Sequence, residues 1–288
     1  MRGRVSPRHL ARRPPVAARL RAALSGRRGL LAAAGALVAV AAVVAALLTG
    51  PGDDAPEDRP ALDGRPAPAS GPARELLDWA AGQLPPGTRL AADPAVTATL
   101  RAAGAPTELL TPADGDAALA IGTGPPPAGS APLARFGRGD EALQVDVREP
   151  ERPPEQQVTR RRDLADALLA NPRTTADPAV AELLREGRVD ARLVWLLAGV
   201  TARAGVGVAD LPVVPGEDDG VLRRVAVLDA FDGAALTGDP AAREQLRAWL
   251  AAQRAPLAPD SVEPVDGGLR VAYRFDPDPD GLVDRAGG

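Results

Sequence analysis

A run of nineteen residues, Leu30 to Leu48, contains only leucine, valine, alanine and one glycine. As a helix rising about 1.5 Å per residue it is roughly 28 Å long, close to the thickness of the hydrocarbon core of a bilayer. Leu30, Leu31, Leu37, Val40, Val44, Leu47 and Leu48 all favour insertion, and no charged or hydrogen-bonding side chain opposes them. The run therefore predicts a transmembrane helix over 30–49. It exceeds the apolar core of most cleaved signal peptides, and no small-residue cleavage triplet follows closely, so an uncleaved signal anchor is expected.

Charge gives the span a direction. Nine arginines, Arg12, Arg13, Arg27 and Arg28 among them, and no acid precede Leu30. After Leu48, 25 arginines face 38 acids, a net charge of −13. Positive charge beside a span stays on the cytoplasmic side, which predicts a cytoplasmic N-terminus and an external C-terminal domain in the plasma membrane. The expected partners are the lipid bilayer and an envelope protein or glycan. So acidic an outer domain would repel phosphates, which argues against nucleic acid. Arg27-Arg28 before the span loosely matches a twin-arginine export signal, but arginines commonly flank a membrane span, and that ordinary reading is preferred.

The organisation follows from punctuation. Residues 1–29 form an Arg-rich tail expected to lack structure. Residues 50–72, with six prolines and four glycines, form a stalk. Helical spacing begins at 73: Leu76, Leu77, Trp79, Ala80 and Leu84 share a face. Asp93-Pro94, Asp177-Pro178 and Asp239-Pro240 each place a capping carboxylate before a proline at the first helical position. The string ADPAV occurs at 92–96 and 176–180, a capping solution used twice. Strands are expected at 88–92, 108–111, 117–122 and 206–209, an interior one at 224–228, and hairpins at 132–147 and 261–275. The prediction is α/β: a transmembrane helix followed by two small two- or three-layer α/β subdomains at 73–148 and 160–275. A linker at 149–159 joins them, and 276–288 is an acidic tail.

Chemistry is constrained by what is missing. The chain has no cysteine, and its one histidine, His9, lies in the tail. Beyond the span there is no imidazole for a nucleophile triad and no His/Cys set for zinc. No nucleotide- or dinucleotide-binding motif occurs, so neither a cofactor nor a metal is expected. Carboxylate chemistry survives by elimination, since glycosidases need only two acids. The candidates are Asp210 and Asp229, each near the C-terminal end of a predicted strand. Asp276 to Gly281 matches the opening of a calcium-binding loop but has no closing glutamate, and Glu217-Asp218-Asp219 reads as a solvated loop. Arg138-Gly139-Asp140 reads as turn chemistry. The seven aromatics, all beyond the span, read as core anchors; a sugar site would need an exposed tryptophan, with Trp79 or Trp249 the first to inspect.

The whole layout resembles uncharacterised actinobacterial single-pass membrane-anchored envelope proteins. The stretch 84–147, with LPPGTRLAADPAV and PLARFGRGDEALQVDV, also resembles soluble segments of actinobacterial envelope glycosyltransferases. That resemblance implies an envelope setting and carries no catalytic residue. The expected function is therefore non-catalytic binding of an envelope ligand or partner. The alternatives are a carboxylate-dependent enzyme on envelope glycans and a structural subunit of a membrane complex.

Overall fold

The computed structural model describes residues 71–287. The predicted tail, transmembrane run and all but the end of the stalk lie outside the described residues, and among those described no helix is long and apolar enough to cross a membrane. The chain is α/β, with two mixed sheets and seven α-helices among the described residues.

The first sheet is built from α1 (Pro72–Gln83), β1 (Leu90–Ala92), α2 (Pro94–Ala102), β2 (Leu110–Pro112), β3 (Leu119–Thr123), β4 (Ala131–Phe136) and β5 (Leu143–Val147). Its strand order is β2-β1-β3-β5-β4. The α2 crossover lets β1 lie parallel to β2, and β5 runs antiparallel to both β3 and β4. Asp93 starts α2 as expected, accepting the Val96 N–H at 2.8 Å ahead of Pro94. Leu76, Leu90, Leu100, Leu133 and Val145 are fully buried between the helices and this sheet.

The second sheet comprises β6 (Thr174–Ala176), β7 (Val206–Asp210), β8 (Val225–Phe231), β9 (Ala234–Ala235), β10 (Ser261–Val265) and β11 (Gly268–Ala272), ordered β10-β11-β8-β7-β6 with β9 on β8. Around it lie α3 (Glu155–Ala170), α4 (Pro178–Glu186), α5 (Ala191–Arg203), α6 (Pro240–Ala251) and α7 (Pro279–Gly287). The interior strand expected at 224–228 is β8, with Val225, Ala226 and Leu228 without exposure. Asp177, Asp190 and Asp239 all cap their helices through side-chain oxygens.

Three expectations change. The third helix starts at Glu155, inside the stretch read as a linker, because Pro154 is its N-cap residue and the proline run ends there. Strand β6 was not expected; it is three residues long and pairs on one side only, so its periodicity is too short to read. The acidic tail from Asp276 contains α7: Pro279 opens a helix, as proline at a first turn can, and Asp280 in that turn is buried.

The sheets are stitched together by the loop after β7. Arg135 N–H donates to Gly216 O at 2.7 Å, Asp218 N–H donates to Leu133 O at 3.0 Å, and Ala134 bridges Glu217. Gly216 has φ +89°, and a Cβ there would come within 2.6 Å of the Phe136 ring. Gly216→Ala is expected to cost about 1–3 kcal/mol through strain and overpacking, read as a lower urea midpoint with an unchanged slope.

Candidate functional site: a cleft floored by buried ion pairs

A cleft of about 390 Å³ opens between the start of β4, the turn after β5, the Gly220–Leu222 turn and the Phe275–Pro279 segment. Its walls are largely apolar, supplied by Ala131, Leu133, Val147, Val221 and Phe275. Glu149, Glu151, Asp276 and Asp278 contribute carboxylates, against Arg148 on the same wall. Arg148 is already engaged, donating to Gly115 O at 2.9 Å. Glu149 has φ +52°, a left-handed conformation uncommon outside glycine, and so presents its side chain from a strained turn.

Two buried ion pairs face this cleft. Arg224, immediately before β8, donates both terminal nitrogens to Glu217, and the two side chains are only 2% and 3% exposed. Glu217 also accepts the Trp79 indole N–H at 2.9 Å, while Arg224 donates to Gln83 at 3.0 Å and lies over the Phe275 ring. Trp79 and Gln83 belong to α1, so this one cluster ties the first helix to the second sheet. In the other pair, Asp190 accepts from Arg192 Nε at 3.0 Å and Nη2 at 2.7 Å while capping α5. Arg192 also donates to Arg274 O at 2.8 Å and sits 4.9 Å from the Tyr273 ring centroid. Burial alone would lower the Arg192 pKa, but the hydrogen bond and charge of Asp190 outweigh it and hold the guanidinium more firmly protonated. Burial, helped by the Asp190 charge, pushes the Tyr273 phenol far above its usual range, so the phenol is neutral and donates to Leu257 O at 2.7 Å. Arg192 and Tyr273 thus each stay in one protonation state, and the two buried pairs serve as scaffold.

A third buried pair, Arg161–Asp280, docks α7 on α3. The Asp276–Gly281 stretch is turn chemistry: Asp276 accepts the Asp278 N–H and Asp278 accepts the Gly281 N–H, both at 2.8 Å. Among the described residues no group of three or more histidine, cysteine or acidic side chains is arranged to hold a metal ion.

The carboxylates singled out from sequence lie elsewhere. Asp210 ends β7 and Asp229 lies on β8; both are exposed and neither lines the cleft. Asp229 folds over Gly207, where a Cβ would come within 2.2 Å of its Oδ1. Arg138-Gly139-Asp140 forms the expected turn between β4 and β5. Glu217, read as solvated, is instead the buried partner of Arg224. Three adjacent acids suggest solvent, and only the tertiary position of Arg224 and Trp79 singles out the first of them. The tryptophans also change roles. Trp79 is buried 5.6 Å from the Phe136 ring and Trp249 is half-buried, whereas Trp195 on α5 is 49% exposed.

The arrangement suits binding: an apolar slot with carboxylates in its wall, on a floor whose charges are already neutralised. Compared with family models, curated proteins and solved structures, the chain matches none of them.

Proposed function

We propose that this protein is a single-pass, N-in/C-out membrane protein of the bacterial envelope whose outer domain binds a ligand or partner without turning it over. The 73–148 and 160–275 segments then act as two small subdomains with the cleft between them. The observation that carries the reading is the cleft itself, with its apolar walls and excess of carboxylates over free cations. Such a surface favours an occupant with an apolar body and a positively charged or donor-rich end. The placement outside the membrane is supported by the nine arginines before the apolar run and the net acidity after it.

Three measurements test this. A phosphatase reporter that is active only outside the cytoplasm, fused after Gly288, is expected to be active; a stably expressed but inactive fusion would overturn the topology. Ala131→Trp fills the cleft mouth. Envelope extracts are expected to raise the melting temperature of the full chain and to leave this variant unmoved, provided the variant alone melts as the wild type does. Hydrolysis of an envelope glycan that is lost in Asp210→Asn or Asp229→Asn would overturn the non-catalytic reading.

A further inference from the structure

Away from the cleft, a groove of about 950 Å³ runs between α5, α7 and the segment after α6, and it shares no lining residue with the cleft. Trp195 forms one side; Arg254, Pro256, Leu257 and Val283 form much of the rest. The remainder of α5 buries Leu193, Val194, Leu196, Leu197 and Val200, so Trp195 is the one large apolar side chain of that helix turned to solvent. A core-facing role does not account for it.

Adjoining the groove, through the shared walls of Arg160, Trp195, Val283 and Asp284, is a chamber of about 30 Å³. Two of its lining residues, Gln157 and Arg161, are four apart on α3 and so share a face of that helix. Each carries a buried atom with no partner among the described residues: the acceptor Oε1 of Gln157 and the donor Nε–H of Arg161. The Gln157 amide cannot be turned over to cure this. Its Nε2 donates to Asp284 Oδ2 at 3.0 Å, and reversal would set two oxygens against each other. Arg161 is likewise fixed, its side chain 5% exposed and paired with Asp280. Asp284 is held ionised, since hydrogen bonds from Gln157 and Arg160 keep its carboxyl below the usual range.

One orphan donor and one orphan acceptor, on two residues lining the same chamber, together complement a hydroxyl, which both accepts and donates. A flat aromatic face at the mouth is the complement of an apolar C–H face. Arg160, Gln253 and Arg254 around it supply further planar polar groups. Saccharides combine both features, hydroxyls at the edge and C–H groups on the face. We propose that the Trp195 groove is a saccharide-binding site, with the ring stacked on Trp195 and one hydroxyl seated between Gln157 Oε1 and Arg161 Nε. An aromatic ringed by arginines also suits a lipid headgroup region, but a headgroup without hydroxyls leaves the orphan pair unanswered and no acyl chain needs it, which favours the sugar.

The test uses the full chain in a detergent without sugar headgroups. Malto- and chito-oligosaccharides of four to six units are titrated in by calorimetry. One series is expected to bind saturably, with affinity falling by about tenfold or more in Trp195→Ala and about three- to tenfold in Gln157→Leu. Trp249→Phe and the cleft-filling Ala131→Trp are expected to bind as the wild type does. That last result also separates this site from the cleft: the groove can hold its sugar even where the cleft proves empty. Because Trp195 is exposed, its variant is expected to melt as the wild type does. Absence of binding by either series, binding indifferent to Trp195→Ala, or Trp195-dependent binding only to anionic phospholipid vesicles would overturn the assignment.

Discussion

Replacing Glu217 with leucine is expected to lower unfolding stability by about 3–5 kcal/mol, the range for breaking a buried ion pair from one side. The loss arises because Arg224, 2% exposed, keeps its charge in an apolar surround with only the Gln83 amide left to it. The Trp79 indole N–H loses its acceptor in the same step. Native domains hold only about 5–15 kcal/mol in total, so this single change consumes a large share. Urea unfolding followed by tryptophan emission measures it. The double replacement Glu217→Leu with Arg224→Met removes both charges together and is expected to recover most of the deficit. A single Glu217→Leu change costing less than about 1 kcal/mol would show that this cluster does not join α1 to the second sheet.

Removing the carboxylate that docks α7 is the second large effect. Asp280→Ala strands Arg161, 5% exposed, and is expected to cost about 3–5 kcal/mol. Limited proteolysis at Arg285 is expected to accelerate as the helix leaves α3. The carboxylate also has a pH signature. Burial pushes the Asp280 carboxyl above its ordinary 3.8, and the Arg161 charge only partly offsets this. Below that raised value and above 3.8 the folded state binds more protons than the unfolded one, so this group adds stability as the pH falls. Most folded aspartates do the reverse. Asp280→Asn cannot titrate, so the stability of the wild type relative to this variant is expected to rise as the pH is lowered through that window. A difference that falls with acid would mean that the Arg161 charge outweighs burial.

The helices were legible because their signals are local. Aspartate followed by proline sets a cap and a first turn whatever lies around it, and Asp93, Asp177 and Asp239 all do so here. β8 was legible because an interior strand carries an apolar run on its own account. α7 was misread for the complementary reason. Its two prolines and acids look like a solvated end, and the helix forms where Pro279 begins it and Arg161 receives Asp280.

The candidate sites were much less legible. Asp210 and Asp229 drew notice because strand ends often carry chemistry, yet neither lines the cleft or the Trp195 groove. The residues that the fold does gather stand far apart in the chain: Trp79 reaches Glu217, and Gln157 reaches Asp284. No spacing rule connects such pairs. Trp195 illustrates the limit from the other side. It lies beside the apolar stripe of α5, and a helical wheel alone does not tell whether a residue at the edge of a stripe is covered by a neighbouring element.

The sequence by itself determined the apolar run and its charge asymmetry, the α/β class, and most element positions, because burial periodicity, capping and charge counting are properties of short stretches. The tertiary structure alone decided which charges are buried, which tryptophan is exposed and where an apolar slot opens. Those outcomes depend on desolvation and on close approach between segments a hundred residues or more apart, as when Trp79 meets Glu217 across 138 positions. A local pattern carries no record of either.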